Sequence, residues 1–316
     1  MQAVCIIIPT MRRPDSLARA LRSVFAQESL GDRLVSIVVV DNDPAATARS
    51  TVETLKANSP FPVIYRHEPR PGVATARNAG LSETDAPLIA FLDDDEAAST
   101  GWLAALLRAQ EETRADAVFG PIAGRIPDER SWAAVYLQRF FGREGPLSTS
   151  LIDHGYGCGN SLMVRHTALP GNDPFDVSAD QTGGEDDALF AALKTRGGRF
   201  GWAHDAWVEE FAPPHRATMG YALSRAFAYG QGPSQTAAKA RDWAGVFRWM
   251  LIGTAQTVVW GLGALALTIV AHPRRADLMD KAARGLGKLF WTKGFEPQLY
   301  GVRELQRLDA FSPSAA

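Results

Sequence analysis

Cysteine is almost absent from this chain. Cys5 and Cys158 are the only two cysteines in 316 residues, and they lie far apart in apolar or glycine-rich stretches. This scarcity excludes a disulfide scaffold and a cysteine-based zinc site, and it fits a reducing compartment.

An excess of charge of either sign is also missing. Lys and Arg number 33 against 35 Asp and Glu, for a formal net charge of −2. The chain therefore has no global basic footprint, and nucleic acid is not predicted as a partner. The opening "MQAVCIIIPT" has neither a basic n-region nor a small-residue cleavage site, so it predicts a first strand in a cytoplasmic domain rather than a signal peptide.

A third absence concerns phosphate binding. The first predicted strand leads into "IIIPTMRRPDSL" without G-x-G-x-x-G, and the chain contains no G-x-x-x-x-G-K-[ST]. These absences argue against a classical dinucleotide dehydrogenase and against a P-loop enzyme. If the chain binds a nucleotide, groups other than helix-end glycines must hold its phosphates.

What the sequence does contain is an alternation of apolar runs and helical patterns, with an apolar fraction of 46% that suffices for a core. The runs "AVCIII", "LVSIVVVD", "FPVIYRHE" and "PLIAFLDDD" predict strands, and the stretches between them predict helices. This order predicts a doubly wound, mostly parallel α/β sheet over residues 1–235. A change of composition near 230–234 predicts a separate C-terminal helical region over 236–316.

Polar residues stand where these strands end: Thr10, Asp41, Glu68 and Asp93–Asp95. Ligands of open α/β sheets bind outside the carboxyl ends of the strands. We therefore expect four separate segments to converge on one crevice.

Asp93, Asp94 and Asp95 offer hard oxygen ligands after a buried strand. Mg²⁺ or Mn²⁺ held by one or two of them would keep positions open for diphosphate oxygens and act as a Lewis acid on a departing diphosphate. The alternative is a solvated acidic turn, which the preceding buried strand disfavours.

Glu185 and Asp186 form a second acidic pair, in the first turn of the helix predicted for "GGEDDALFAALKTRGG". Acids at this position could simply favour the helix dipole. Alternatively, a carboxylate here could accept a proton from an attacking hydroxyl, and Gly183 and Gly184 would let the backbone approach a substrate.

Five segments together resemble the inverting family-two glycosyltransferases of the GT-A fold, which use nucleotide-sugar donors. The similarity extends over about the first 235 residues, in matching order and spacing. The segments are "CIIIPTMRRPDSLARALRSVFAQ" (5–27), "IVVVDND" (37–43), "PGVATARNAG" (71–80), "FLDDDE" (91–96) and "GGEDDALFAALKTRGGRF" (183–200).

The resemblance implies a donor pocket. Pro9, Thr10 and Asp41 would line the nucleoside site, with Asp41 facing the base. Arg77 would lie near the nucleotide and its phosphates.

The resemblance also assigns roles to the acids. Asp95 would ligate Mg²⁺ or Mn²⁺, Asp93 would contact the ribose or the metal, and Asp94 would contact the sugar. Asp186 would be the general base that deprotonates the acceptor hydroxyl for in-line attack, with Glu185 beside it.

Two further positions are candidates. Some members of the fold supply another metal ligand from a histidine beyond the base, which would be His215 or His204 here, although His215 in its polar loop could equally be a surface residue. Asn160 in "GCGN" stands where relatives line the sugar or acceptor pocket, but glycine-rich turns with Asn also arise for steric reasons.

The run 249–271 has no charged residue and is long enough to cross a bilayer as a helix. A single span would put its second basic flank outside, against the positive-inside tendency, whereas an interfacial or re-entrant segment leaves both flanks on the anionic cytoplasmic leaflet. A buried core helix is the alternative. The sequence predicts peripheral or monotopic attachment to the cytoplasmic side of the inner membrane. The flanking residues are Lys239, Arg241 and Arg248 before the run, and Arg274, Arg275, Lys281, Arg284 and Lys288 after it.

The later "GLGKLFWTKGFEPQLYG" resembles the C-terminal region of bacterial family members that extend lipid-linked exopolysaccharide units. The sequence thus predicts an inverting, metal-dependent glycosyltransferase that moves a hexose from a nucleoside diphosphate sugar, with UDP expected, to a lipid-linked saccharide in cell-surface polysaccharide synthesis.

One alternative is a sugar nucleotidyltransferase. Such an enzyme should carry a glycine-rich signature after its first strand, and the stretch "PTMRRPDSL" lacks these glycines. Another is a non-catalytic membrane-anchored scaffold, for which Asp95→Ala would leave every activity-linked phenotype intact.

Overall fold

The predicted strands assemble into one eight-stranded sheet in the computed structural model, which describes residues 3–298. Its order is β3-β2-β1-β4-β9-β6-β10-β8. The strands of this sheet are β1 (Ala3–Thr10), β2 (Leu34–Asp41), β3 (Val63–His67), β4 (Leu88–Phe91), β6 (Ala117–Phe119), β8 (Ser150–Ile152), β9 (Ser161–Val164) and β10 (Phe200–Trp202).

A second, three-stranded sheet has the order β5-β11-β7. Its strands are β5 (Glu96–Ala98), β7 (Ile122–Arg125) and β11 (Val208–Phe211), and β11 pairs antiparallel with β5. The apolar stretch 115–126 is divided between β6 and β7 at Gly120 and Pro121.

Ten α-helices and two short 3₁₀ turns lie within residues 3–298. The helices are α1 (Pro14–Phe25), α2 (Arg49–Lys56), α3 (Val73–Leu81), α4 (Trp102–Thr113), α5 (Ala134–Phe141), α6 (Arg165–Ala168), α7 (Glu185–Thr195), α8 (Met219–Lys239), α9 (Trp243–Ile269) and α10 (Arg275–Leu289). The 3₁₀ turns are Val177–Ala179 and Lys293–Phe295.

The larger sheet confirms the predicted mostly parallel α/β architecture. Strands β3, β2, β1 and β4 are parallel, and β9 enters antiparallel between β4 and β6. Side chains alternate along β1, so that Ile6 and Ile8 pack in one buried layer and Cys5 and Ile7 in the other. The sheet is therefore covered on both faces, as its continuous apolar strands require.

The position of the site follows from the strand order. β1 pairs with β2 on one side and with β4 on the other, so the order in which strands are added to the sheet reverses at β1. Thr10 is in register with Asp41 at the carboxyl ends of β1 and β2, and Ile7 is in register with Phe91 of β4. The segment 93–96 thus emerges beside Thr10, at the edge where open α/β sheets bind ligands.

The described chain divides into two compact units. The first comprises the residues up to Ala123 together with Gly142–Phe211, and the second comprises Gly124–Phe141 with Ala212–Gln298. Position 235, where composition predicts a boundary, lies inside α8. The part of the predicted C-terminal region from 299 to 316 lies outside the described residues.

Gly230, in the stretch where the composition changes, and Gly253 serve helix packing in the second unit. A Cβ on Gly230 of α8 would lie 2.3 Å from the carbonyl oxygen of Arg284 in α10, and one on Gly253 of α9 would lie 2.6 Å from that of Gly285. Only glycine allows the backbones to approach this closely. The small residues therefore mark contacts among α8, α9 and α10 rather than a linker.

One described helix, α9, is long and apolar enough to cross a membrane by length and composition, with a mean hydropathy of 1.6. Only 11% of its most apolar window is buried, so α9 is not a core helix of its own unit. Its exposed apolar side chains lie toward one side of the helix and form one apolar stripe: Phe247, Leu251, Val258, Val259, Leu262, Leu265 and Ile269.

Candidate active site

The three aspartates after β4 have different surroundings. Asp93 keeps 38% of its side chain exposed, whereas Asp94 and Asp95 are nearly buried. Asp94 accepts a hydrogen bond from the Thr10 hydroxyl at 2.7 Å, and the Arg13 guanidinium donates to Asp94 at 3.0 Å and to Asp95 at 2.8 Å. The structure therefore places these acids together and adds Arg13, which the sequence does not single out.

Glu96 lies behind these aspartates. It is 1% exposed, and its carboxyl accepts a hydrogen bond of 2.9 Å from the backbone N–H of Asp93. Burial, together with Asp93 and Glu210, raises the pKa of Glu96 well above its usual value. Burial also raises the pKa of Asp94, to about 6, despite the opposing effect of Arg13. At this edge of the sheet, the carboxyl groups outnumber the arginine side chains that could neutralise them.

The second acidic pair begins α7 and separates into two environments. Glu185 is buried and ion-paired with Arg77 of α3, and the same guanidinium reaches Asp93 at 3.5 Å. Asp186 is half-buried and accepts from the backbone N–H of Asp187 at 2.9 Å and of Cys158 at 3.4 Å. Arg77 thus connects the metal-candidate aspartate with the helix that carries the base candidate.

The segment before α7 is tied to α3 by Asp180. Its carboxylate accepts hydrogen bonds from the backbone N–H of Ala74 at 2.9 Å and from the Thr75 hydroxyl at 2.6 Å. These contacts cap α3 across more than a hundred residues of sequence and complement the positive end of its dipole. Gly184, with φ of 91°, then turns the chain into α7 in a conformation that glycine tolerates best. Asp180 thereby fixes the approach to Asp186.

A half-buried arginine, Arg143, organises the turn at 157–160. Its guanidinium donates to four main-chain oxygens, at 3.0 Å to Gly159, 3.1 Å to Gly157, 3.3 Å to Asn160 and 3.4 Å to Gly120. Burial lowers the pKa of Arg143 although nearby carboxylates oppose this. No sequence signal around "FFGREG" indicates this role, because the four hydrogen-bond acceptors are backbone oxygens remote in sequence.

The same turn touches both acidic groups. A Cβ on Gly159 would lie 2.6 Å from a carboxylate oxygen of Asp93, so a larger residue would displace that carboxylate, and Cys158 donates its N–H to Asp186. Asn160 is fully buried, accepts from Trp102 at 2.8 Å, and donates to the carbonyl oxygens of Pro121 and Ala206. Its amide is engaged within the fold, and its predicted contact with a sugar or acceptor stays a prediction.

The nucleoside candidates lie at the carboxyl ends of β1 and β2. Thr10 is buried and holds Asp94, and Pro9 precedes it in β1. Asp41 is fully buried and accepts from the backbone N–H of Ala48 and the hydroxyl of Tyr65, each at 2.8 Å. These contacts order the loop after β2, and the predicted contact of Asp41 with a base stays a prediction.

The donor set at this edge suits a divalent cation. Within residues 3–298, no three His, Cys, Asp or Glu side chains group closely enough to hold an ion by themselves. Mg²⁺ ordinarily takes one or two protein carboxylates and completes its shell with water and substrate phosphates. Asp93 and Asp95 fit such a partial ligand set. His215 lies in the second compact unit, and its predicted part as a ligand stays a prediction.

Comparison with known proteins gives a consistent result. The model for Glycosyl transferase family 2 matches residues 5–168. The succinoglycan biosynthesis protein ExoM of Rhizobium meliloti (strain 1021) is 34% identical over 230 residues, which are 70% of this chain and 71% of that protein. The GalNAc(5)-diNAcBac-PP-undecaprenol beta-1,3-glucosyltransferase of Campylobacter jejuni is 27% identical over 121 residues, 38% of each chain.

Among solved structures, the mannosyltransferase PcManGT from Pyrobaculum calidifontis, in complex with GDP-Man and Mn²⁺, is similar in fold. The TM-score is 0.62 at 16% sequence identity, and the match covers 92% of this chain and 87% of that one. The neighbour is a GT-A glycosyltransferase and confirms the predicted fold class.

Proposed function

The chain belongs to glycosyl transferase family 2, and from this membership we propose that it moves a hexose from a nucleoside diphosphate sugar to a saccharide acceptor, with inversion at the anomeric carbon. We expect UDP as the nucleotide. The observation that carries the proposal is the convergence of Asp93–Asp95 and the Glu185–Asp186 pair around Arg77.

In this proposal Asp186 is the general base. Glu185 is held by Arg77, whereas the hydrogen bonds that Asp186 accepts come from backbone N–H groups and leave lone pairs on its two oxygens. Asp186 takes the proton of the acceptor hydroxyl as that oxygen bonds to the anomeric carbon. The bond from this carbon to the diphosphate oxygen breaks, and the nucleoside diphosphate leaves.

The donor diphosphate binds at the carboxyl ends of β1 and β4. Mg²⁺ or Mn²⁺ on Asp95 and Asp93 would supply Lewis-acid stabilisation of the leaving diphosphate. Arg77, ion-paired with Glu185 and 3.5 Å from Asp93, adds a fixed positive charge beside this position. Thr10 and Arg13 hold Asp94 in place beside this position.

We propose further that the acceptor is a lipid-linked saccharide in cell-surface polysaccharide synthesis. The names of two relatives support this: one acts in succinoglycan biosynthesis, and the other is a glucosyltransferase named for an undecaprenol-linked substrate. Such an acceptor lies at a membrane surface, where its lipid anchor is inserted.

The second compact unit supports attachment along the cytoplasmic membrane surface. α10 packs lengthwise on α9: Lys281 stacks over Trp260 at 4.6 Å, and Thr257 contacts the carbonyl oxygen of Ala282 at 3.5 Å. A spanning α9 would carry the charged residues of α10 into the hydrocarbon, at a high cost. With its apolar stripe in the interface and α10 toward water, α9 lies on the membrane instead.

A donor screen with a radiolabelled or mass-resolved readout tests the transferase proposal. Purified protein with Mn²⁺, membranes as acceptor source, and UDP- and GDP-hexoses in parallel should give a glycosylated lipid product from one donor. Asp95→Ala and Asp186→Asn should lose it. Formation of a nucleotide sugar from a sugar phosphate would indicate the nucleotidyltransferase instead, and wild type indistinguishable from both variants would indicate the scaffold.

A further inference from the structure

Arg13 is a charged residue inside the acidic site, and holding Asp94 is the one role that the proposed chemistry gives it. It follows the end of β1 and precedes the first residue of α1. Its guanidinium nitrogen Nη1 donates to Oδ1 of Asp94 at 3.0 Å and to Oδ2 of Asp95 at 2.8 Å. Its side chain is 17% exposed, so it lies at the wall of the crevice and not on the open surface.

The two carboxylates hold Arg13 in different ways. Asp94 binds Arg13 through one oxygen and the Thr10 hydroxyl through the other, so both of its oxygens are engaged by the protein. Asp95 is the carboxylate expected to take the divalent cation, and it binds Arg13 through Oδ2. A metal ion on Asp95 would therefore bring a second positive charge next to the guanidinium.

We propose that Arg13 is a resident cation that a divalent metal displaces from Asp95 and that then binds the donor diphosphate, while Asp94 keeps it in the crevice. This inference rests on the proposed transferase function. Displacement follows from repulsion between two cations that share a carboxylate. Capture of the diphosphate follows from the geometry of a guanidinium, which pairs with phosphate oxygens through two parallel hydrogen bonds.

Arg13 lies where a phosphate-binding loop would follow the first strand. The chain has no glycine-rich phosphate loop after its first strand, and the turn "TMRRPD" stands in that place. A guanidinium at this position supplies charged donors where such a loop would supply backbone N–H groups.

The test measures binding to the full-length protein and requires no turnover. Mn²⁺ binding without nucleotide is followed by water-proton relaxation, and UDP binding at saturating Mn²⁺ is followed by calorimetry. The variants are Arg13→Met, which removes the charge, and Arg13→Gln, which removes it but keeps a hydrogen-bond donor. Arg108→Met is the matched control, because Arg108 forms an exposed ion pair with Asp205.

Arg13→Met and Arg13→Gln should bind Mn²⁺ about threefold or more tightly than wild type, because the competing charge is gone. They should bind UDP about tenfold more weakly, because a charge-assisted contact to phosphate is lost. Arg108→Met should change neither affinity. Thermal unfolding of each variant verifies that the comparison is made between folded proteins, and Arg13→Gln carries the test if Arg13→Met does not fold.

If the neutral variants bind Mn²⁺ as tightly as wild type or more weakly, whatever the wild-type affinity, the proposed competition between Arg13 and the metal for Asp95 is wrong. Tighter Mn²⁺ with unchanged UDP affinity would overturn the diphosphate contact. A wild type that binds UDP and Mn²⁺ but shows neither difference on substitution defeats only the Arg13 inference. A wild type that binds no nucleotide and no nucleotide sugar defeats the proposed function itself.

Discussion

Glu185 and Asp186 are adjacent acids whose roles separate through their neighbours. Glu185 points inward to Arg77, and burial raises its pKa even though the guanidinium opposes this. Asp186 lies half-buried next to the turn that Arg143 holds. The adjacent acids of one helical turn thus supply one structural ion pair and one carboxylate able to meet a substrate.

Asp186→Asn should lower kcat by about 10²- to 10⁴-fold, because the amide cannot accept the proton of the acceptor hydroxyl. The free energy of unfolding should stay close to that of wild type, since the amide oxygen can keep the 2.9 Å contact with the Asp187 N–H and only the longer contact with the Cys158 N–H is lost. Steady-state kinetics and urea unfolding measure the two effects. Asp187→Asn, at the exposed neighbour, is the control and should retain activity; equal losses in both variants would contradict the assignment.

Glu96 provides a prediction for pH dependence. Its raised pKa means that the folded protein keeps a proton that the unfolded chain releases above its ordinary pKa of 4.5. The native state then binds more protons than the unfolded state. The stabilisation that comes from the proton on Glu96 is therefore complete below about pH 4.5 and is lost as the pH rises toward the folded pKa. Glu96→Gln removes this titration while it keeps an oxygen for the Asp93 N–H.

The stabilisation of Glu96→Gln over wild type should therefore be larger at pH 8 than at pH 5, by about 1 kcal/mol or more. Urea unfolding of metal-free protein in EDTA at both pH values measures the difference. A difference between the two proteins that does not change with pH would show that Glu96 is ionised in the folded state.

At the scale of elements, the helical unit is assembled by backbone contacts at glycines. A Cβ on Gly287 of α10 would lie 2.1 Å from the carbonyl oxygen of Phe227 in α8. Lys288, part of the basic flank seen in the sequence, is buried here, and Arg275 stacks on Trp132. Some of the basic charge expected to face a membrane is thus used within the unit.

Gly287→Ala should lower the free energy of unfolding by about 1–3 kcal/mol, because the added methyl must push α8 and α10 apart. Gly261→Ala is the matched control: a Cβ on Gly261, inside α9, would meet nothing within 4 Å, so alanine should stabilise by about 0.5–1 kcal/mol. Chemical unfolding followed by circular dichroism measures both. A Gly287→Ala protein as stable as wild type would contradict the close contact.

At the scale of the whole molecule, chemistry and attachment belong to different compact units. The acids, Arg77 and Arg143 lie in the first unit, and the apolar stripe of α9 lies in the second. A change on the stripe should therefore affect where the protein works without altering its donor site.

Val258→Glu together with Leu262→Glu should release the protein from vesicles that contain anionic lipid, because two carboxylates interrupt the apolar stripe. Flotation measures binding, and hydrolysis of the donor in solution should stay at the wild-type rate. Wild type should require detergent for full release, with high salt giving partial release. Retention of the double variant on vesicles would exclude α9 as the attachment surface.

Much of the fold follows from local pattern. The apolar runs that become β1, β2 and β4 and the helical spacing of α1 and α4 are readable because side-chain periodicity depends on neighbours in sequence. The acids of "FLDDDE" and "GGEDD" are equally visible, and their positions at a strand end and a helix start already indicate the crevice. These patterns are sufficient for the fold class and for the acids at its site.

Only the tertiary structure decided what those acids contact. Arg13 meets Asp94 across 81 residues, Arg77 meets Glu185 across 108, and Arg143 binds backbone oxygens that carry no sequence signature. The apolar run after residue 248 is likewise ambiguous until α10 is packed along it. Long-range pairing depends on the whole arrangement of strands and helices, and a linear pattern records only what each residue is, not which distant partner neutralises or covers it.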